Sequence, residues 1–98
     1  MSYNSGVETL LDGGLNNQKK KAGLITATAS GAIAIPVSSI SFCNSGAAAI
    51  NLTVSGSTSS IPAATTISFD GGGAENRFPG NTFSYDATGS TLLIAYTY

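Results

Sequence analysis

The chain has 98 residues, a net charge of −1 and only 9% charged residues, where an ordinary soluble domain carries roughly 25%. It holds one cysteine, Cys43, and no histidine, which excludes an intrachain disulfide, a histidine-ligated zinc and every triad or dyad built on imidazole. One domain this small buries only about 60% of the surface its unfolded chain exposes, so it is expected to draw stability from neighbours.

Residues 1–21 read as an arm. Ser5-Gly6-Val7-Glu8 has capping-box spacing, serine at the N-cap and glutamate three residues on. Val7, Leu10 and Leu11 then share one helical face. Gly13-Gly14 stops such a helix after about two turns, too short to persist alone in water. Asn16-Asn17-Gln18 and Lys19-Lys20-Lys21 follow. The arm is expected to be mobile unless something docks it, with Val7, Leu10, Leu11, Lys19, Lys20 and Lys21 as the docking residues. Three lysines contacting phosphates give a salt slope of only about −3, and no aromatic residue is interleaved, so a solvated hinge is expected rather than specific nucleic-acid binding. No basic segment leads into an apolar one at the start, so synthesis in a cytoplasm without secretion is expected. No apolar run approaches a membrane span.

Residues 22–98 read as a single β domain. Leu24 to Thr28 is one strand, Ser30-Gly31 a turn, and Ala32 to Ile35 a second strand that ends at Pro36. Ser39-Ile40-Ser41-Phe42-Cys43 alternates with period two, and Asn44-Ser45-Gly46 is a turn signal. Ile50 to Ser55 alternates most cleanly, with Ile50, Leu52 and Val54 inward, until Gly56-Ser57-Thr58 breaks it. Thr66 to Phe69 places Ile67 and Phe69 inward. The glycine-rich stretch from Asp70 to Arg77 and the turn Phe78-Pro79-Gly80-Asn81 precede Phe83-Ser84-Tyr85. After the turn at Asp86-Ala87-Thr88-Gly89 comes a last strand with Leu92, Ile94, Tyr96 and Tyr98 on one face and Leu93 and Ala95 on the other. About seven short strands at this spacing predict a small antiparallel β-sandwich, jelly-roll or immunoglobulin-like, or a barrel. A strand apolar on both faces is expected to be covered.

Little in this body suggests chemistry. Cys43 has no basic neighbour in sequence to lower its pKa and reads as a buried, inert thiol. The loop Asp70-Gly71-Gly72-Gly73-Ala74-Glu75 has no lysine and no helix start after its glycines, so it is no phosphate cradle. Asp70, Glu75 and Asn76 supply too few oxygens for calcium by themselves. Asp70, Glu75 and Asp86 could pair as glycosidase carboxylates, but no tryptophan is present to stack a sugar and the chain is too small for a deep cleft. No cofactor and no enzymatic activity are expected.

The arm followed by "GLITATASGAIAIPVSSISFCNSGAAAINLTVSG", the strand "TTISFDGGG" and the ending "FSYDATGSTLLIAYTY" resembles small β-rich virion proteins of bacteriophages, above all capsid decoration (cement) and head-fibre or tail-associated domains. The similarity covers residues 23–98 and is one of general character, with low charge, a Ser/Thr/Gly/Ala body and an attachment arm in front. It implies a virion location and a homo-oligomer, most simply a trimer, attached non-covalently to a capsid or tail. With the two-faced last strand it places Tyr96 and Tyr98 at the oligomer contact. An adhesin or carbohydrate-binding module, stacking sugars on Tyr85, Tyr96 and Tyr98, is the rival expectation.

Brief trypsin treatment of the full chain is expected to cut at Lys19 to Lys21 and leave a folded body, as shown by mass spectrometry. Rapid loss of the body would mean that the arm is integral to the fold.

Overall fold

The computed structural model describes residues 21–72 and 76–98. These form β1 (Ala22–Ala27), β2 (Ser30–Ala32), β3 (Ser39–Asn44), β4 (Ile50–Val54), β5 (Ser57–Ile61), β6 (Thr65–Asp70), β7 (Phe83–Asp86) and β8 (Leu92–Thr97). The strands make two four-stranded sheets, ordered β1-β8-β3-β6 and β2-β7-β4-β5. Every pairing is antiparallel.

One rule generates this order. β1 pairs with β8, β2 with β7, β3 with β6 and β4 with β5, so the chain is a single long hairpin folded at Ser55-Gly56. Hydrogen bonds carry the ribbon across the gaps between strands. Ala87 N–H donates to Ala29 O, Ile33 N–H to Phe83 O, and Val37 and Phe78 exchange both backbone bonds. Rolling the ribbon brings β3 beside β8 and β4 beside β7. The result is a jelly-roll sandwich.

The hairpin tip has φ of 50° at Ser55 and 89° at Gly56. Two left-handed residues make the turn whose twist matches its flanking strands. The tip leads straight into β5, a strand where the sequence pattern predicts a break. Its residues, Ser-Thr-Ser-Ser-Ile, bury only Ile61, so no hydrophobic alternation marks it. Likewise Ser30-Gly31, expected as a turn, lies in β2; Ile33 is buried beyond the strand's end.

The alternation seen in the sequence sets the core. Ile40 and Phe42 face inward from β3, Ile50 and Leu52 from β4, and Leu92 and Ile94 from β8, all at most 3% exposed. Phe83 of β7 fastens the two sheets together. Its ring centroid lies 5.6 Å from Phe42, 5.1 Å from Phe69 and 5.3 Å from Phe78. Aromatic pairs at such separations add about 0.5–1.5 kcal/mol each beyond area burial. Ile67 shares the inward face through its pairing with Phe42, yet stays 39% exposed because β6 is an edge strand.

Edge strands β1 and β2 share a device. Gly23 pairs with Tyr96 and Gly31 with Tyr85, and in each case the tyrosine ring occupies the space where a Cβ would stand. Each aromatic ring thereby covers the bare backbone of the outermost strand.

Two polar side chains, Ser38 and Asn44, are fully buried within this apolar frame. Asn44, at the end of β3, is 0% exposed. Its Nδ2 donates to Ala48 O at 2.8 Å and Ile61 O at 2.9 Å. Its Oδ1 accepts from Ser90 Oγ at 2.7 Å and Gly46 N–H at 3.2 Å. Both amide hydrogens and both lone pairs of the oxygen are used. The side chain ties together the β3–β4 loop, the end of β5 and the β7–β8 loop.

Asn44→Ala is expected to lower the unfolding free energy by about 3–5 kcal/mol, because several buried donors and acceptors lose their partner at once. Ser90→Ala, which removes a single donor, should cost about 1 kcal/mol. Urea unfolding of the full-length variants measures both, and near-equal losses would show that the amide is not a hub.

Candidate functional site

The two sheets turn very different outer faces to the surroundings. On the second sheet the outward rows are Ser30–Asp86–Asn51–Ser60 and Ala32–Ser84–Thr53–Thr58. Ala32 is the one apolar residue there. On the first sheet the rows are Ala22–Thr97–Ser39–Asp70, Leu24–Ala95–Ser41–Ser68 and Thr26–Leu93–Cys43–Thr66. Leu24 is 84% exposed and Leu93 43%. A shallow trough of about 710 Å³ crosses this face along the Ala22 and Leu24 rows.

Three pairs of hydroxyls on these faces bond to one another. Ser41 and Ser68 pair across β3 and β6 at 2.9 Å, and Ser39 reaches Thr97 across β3 and β8 at 2.7 Å. Thr53 and Thr58 do the same on the second sheet at 2.7 Å. A polar face satisfied internally can be covered without stranding its donors, which removes the main cost of burying it. Leu24, Leu93 and Ala95 add apolar area on the β1–β8 side, while Asp70 is the single charge on the first sheet's outer face.

The residues singled out from sequence fall in several places. Val7, Leu10, Leu11, Lys19 and Lys20 lie outside the described residues, as does Glu75. Lys21 is exposed, and its backbone exchanges two hydrogen bonds with Tyr98, extending the β1–β8 ladder by one pair. Tyr96 takes the inward side of β8 with Leu92 and Ile94 and packs half-buried against the core over Gly23. Tyr98 leans on it, with ring centroids 5.6 Å apart. Tyr85 is likewise half-buried over Gly31. The outward side of β8 is held by Leu93 and Ala95. Tyr98 also borders a second hollow, of about 420 Å³, with Lys21, Ile35, Pro36 and Arg77.

Cys43 differs from expectation: it is half-buried and on the outer face, because β3 spends its inward positions on Ile40, Phe42 and Asn44. Asp70 and Asp86 sit on the outer faces of opposite sheets, so they cannot flank one glycosidic bond. Asp70 instead accepts from Gly72 N–H at 2.9 Å. Asp86 accepts from Thr88 Oγ1 at 2.6 Å and Thr88 N–H at 3.1 Å. The Thr88 hydroxyl, then the Thr88 N–H, with a smaller share from the Ser30 hydroxyl, hold the Asp86 carboxyl below its ordinary 3.8. Both aspartates act in turns. Leu24 does not stand out in the sequence, because Leu24-Ile25 is a doublet and only the register says which of the two points out.

No protein-family model and no curated protein matches the chain.

A depressed carboxyl pKa contributes stability that is present above the unfolded value and lost as pH falls through the folded one. Wild-type stability should therefore fall on acidification from about pH 4 downward through the lowered pKa of Asp86, and Asp86→Asn should flatten that limb. Thermal melts between pH 5 and pH 2 check this; identical acid limbs would show that the Thr88 bonds do not favour the ionised form.

Proposed function

We propose that this chain is a non-enzymatic structural protein of a bacteriophage virion, a homo-oligomer attached to a capsid or tail through its N-terminal arm. The observation that carries the reading is the outer face of the first sheet, which among the described residues has Asp70 as its one charge, exposes Leu24 and Leu93, and pairs Ser39 with Thr97 and Ser41 with Ser68. Such a face suits permanent contact with protein neighbours better than free life in solution. Jelly-roll sandwiches serve in viral capsid and lectin domains alike, and a fold by itself does not choose between uses. The half-buried placement of Tyr85 and Tyr96 favours the virion reading over sugar stacking, which needs open aromatic faces. The trimer rests on the resemblance to phage decoration proteins, and it puts the outward side of β8, with Tyr96 and Tyr98 close by, at the contact between copies.

Two measurements test this. Sedimentation of the full chain at tens of micromolar should show a stable oligomer, and Leu24→Asp should shift it toward monomer while leaving the melting temperature within a few degrees, since Leu24 is 84% exposed. Density-gradient banding of phage particles from cultures that express the chain should place it in the particle band at fixed stoichiometry. A well-behaved wild-type monomer, or a chain found only in the unbound fractions, overturns the proposal.

A further inference from the structure

Among the described strands, β1, β6, β2 and β5 are sheet edges, and they are not protected alike. β1 is led by Lys21 and carries Gly23 beneath the Tyr96 ring. β2 has only three residues, with Gly31 beneath Tyr85. β5 exposes serines and a threonine, buries its one apolar residue, Ile61, and is followed by Pro62. β6 has six residues with no glycine, proline or lysine, and its single charge, Asp70, comes last. It leaves Ile67 39% exposed. Native edges are ordinarily blunted by short length, charge, proline or a cover. β6 is the edge that lacks them.

The backbone of β6 is only half used. Gly71 N–H donates to Ser38 O at 2.8 Å, one pair beyond Ser39–Asp70. Bonded and non-bonded pairs alternate along an antiparallel ladder, so Phe69 and Ile67 bond back to Ile40 and Phe42. On the other side of β3, Ser45 N–H donates to Thr91 O at 2.9 Å, which directs Cys43, Ser41 and Ser39 to β8 and agrees with that phase. Thr66, Ser68 and Asp70 therefore turn their backbone N–H and C=O groups away from the sheet.

We infer that the β6 strands of two copies pair antiparallel about a twofold axis at Ser68, joining two first sheets into one continuous sheet. The phase selects that register, because only outward-bonding residues can face one another in bonded pairs. Centring on Ser68 uses all of them: Thr66 meets the partner's Asp70, Asp70 the partner's Thr66, and Ser68 its own counterpart. Between them Ile67 stands opposite the partner's Phe69 in a non-bonded pair, where side chains lie closest. The exposed isoleucine is thereby covered by an aromatic ring, a favourable cross-strand pair. Centring on Ile67 would set Asp70 against Ala64, whose φ of 61° takes it out of the strand. Centring on Asp70 would oppose two carboxylates. Area agrees with the pairing. Four strands at about 4.8 Å spacing and six residues at about 3.4 Å give one outer face about 400 Å². The doubled sheet presents about 800 Å², the area per partner of a stable interface. Pairing thus makes the Leu24 and Leu93 face large enough for a lasting contact.

The inference rests on the oligomeric reading above and adds a twofold contact to the one at β8. The full-length wild type should sediment as an even number of chains, and Ser68→Pro should halve that number. Proline there removes an outward N–H and no backbone bond to β3. Ser60→Pro, the same change on the β5 edge, should leave the number unaltered. In a Cys43→Ser background, mild oxidation of Ser68→Cys should give a disulfide-linked dimer on non-reducing gels. Cα atoms in a bonded antiparallel pair stand about 5.5 Å apart, within disulfide reach. Ser60→Cys should cross-link several-fold more slowly. If Ser68→Pro fails to fold, the disulfide decides alone. A wild-type oligomer that has an odd number of chains, survives Ser68→Pro at full size, or gives no preferential Ser68→Cys dimer overturns edge pairing and leaves the oligomeric reading standing. A wild-type monomer overturns both.

Discussion

The sandwich depends on a buried amide. A jelly roll made of one rolled hairpin has its loops gathered at two ends, and at one end three of them must meet without water. Asn44 meets that requirement with four hydrogen bonds, to Ala48, Ile61, Ser90 and Gly46. A hydrophobic side chain there would leave the Ile61 and Ala48 carbonyls and the Ser90 hydroxyl unpaired in an apolar setting, at a cost of about 1–3 kcal/mol each. The phenylalanines around Phe83 pack the two sheets together, but the amide is directional. It fixes where β3 ends, where the chain enters β4 and where β8 begins.

The division between inside and outside follows from this frame. Most inward positions are filled with Phe, Ile, Leu and Val, with Asn44, Tyr85 and Tyr96 among them. Outward positions receive whatever the surroundings require, and here they are mostly Ser, Thr and Ala, with Leu24, Leu93, Cys43, Asn51, Asp70 and Asp86. Three hydroxyl pairs across strands, Ser39–Thr97, Ser41–Ser68 and Thr53–Thr58, satisfy part of these faces internally. A chain with four charges among its described residues, Lys21, Asp70, Arg77 and Asp86, stays folded in this way without presenting the charged surface that keeps ordinary monomers apart.

Much of this was legible in the sequence, and the rest was hidden for identifiable reasons. Period-two alternation located β3, β4 and β8 and the inward residues Ile50, Leu52, Leu92 and Ile94. It could not locate β5, whose serines and threonine alternate in nothing that hydropathy measures; the Ser55-Gly56 pair was the available signal, because that dipeptide suits a two-residue hairpin. Nor could it show that Gly31 sits within a strand, since a glycine covered by a tyrosine from another strand looks locally like a turn. The candidate face was half legible. Leu93 and Ala95 stand out as the second apolar side of β8, but Leu24, Ser41 and Ser68 join them only through the register. Pairings between strands so far apart in the chain leave no local trace.

The order of the strands also has a consequence for how the molecule is made. β8 is the last described strand to leave the ribosome, yet it lies between β1 and β3. Until it arrives, the first sheet is a lone β1 and a separate β3–β6 pair, each with a bare row of backbone donors and acceptors. The hairpin tip, by contrast, is complete once β5 has emerged. Synthesis thus produces a closed tip and an open seam, and the seam shuts in a single late insertion that satisfies two strand edges at once. Contacts so distant in sequence form slowly, and the waiting chain is exposed to other unpaired edges. The vulnerable moment for this protein lies in that interval, between the emergence of β6 and the insertion of β8.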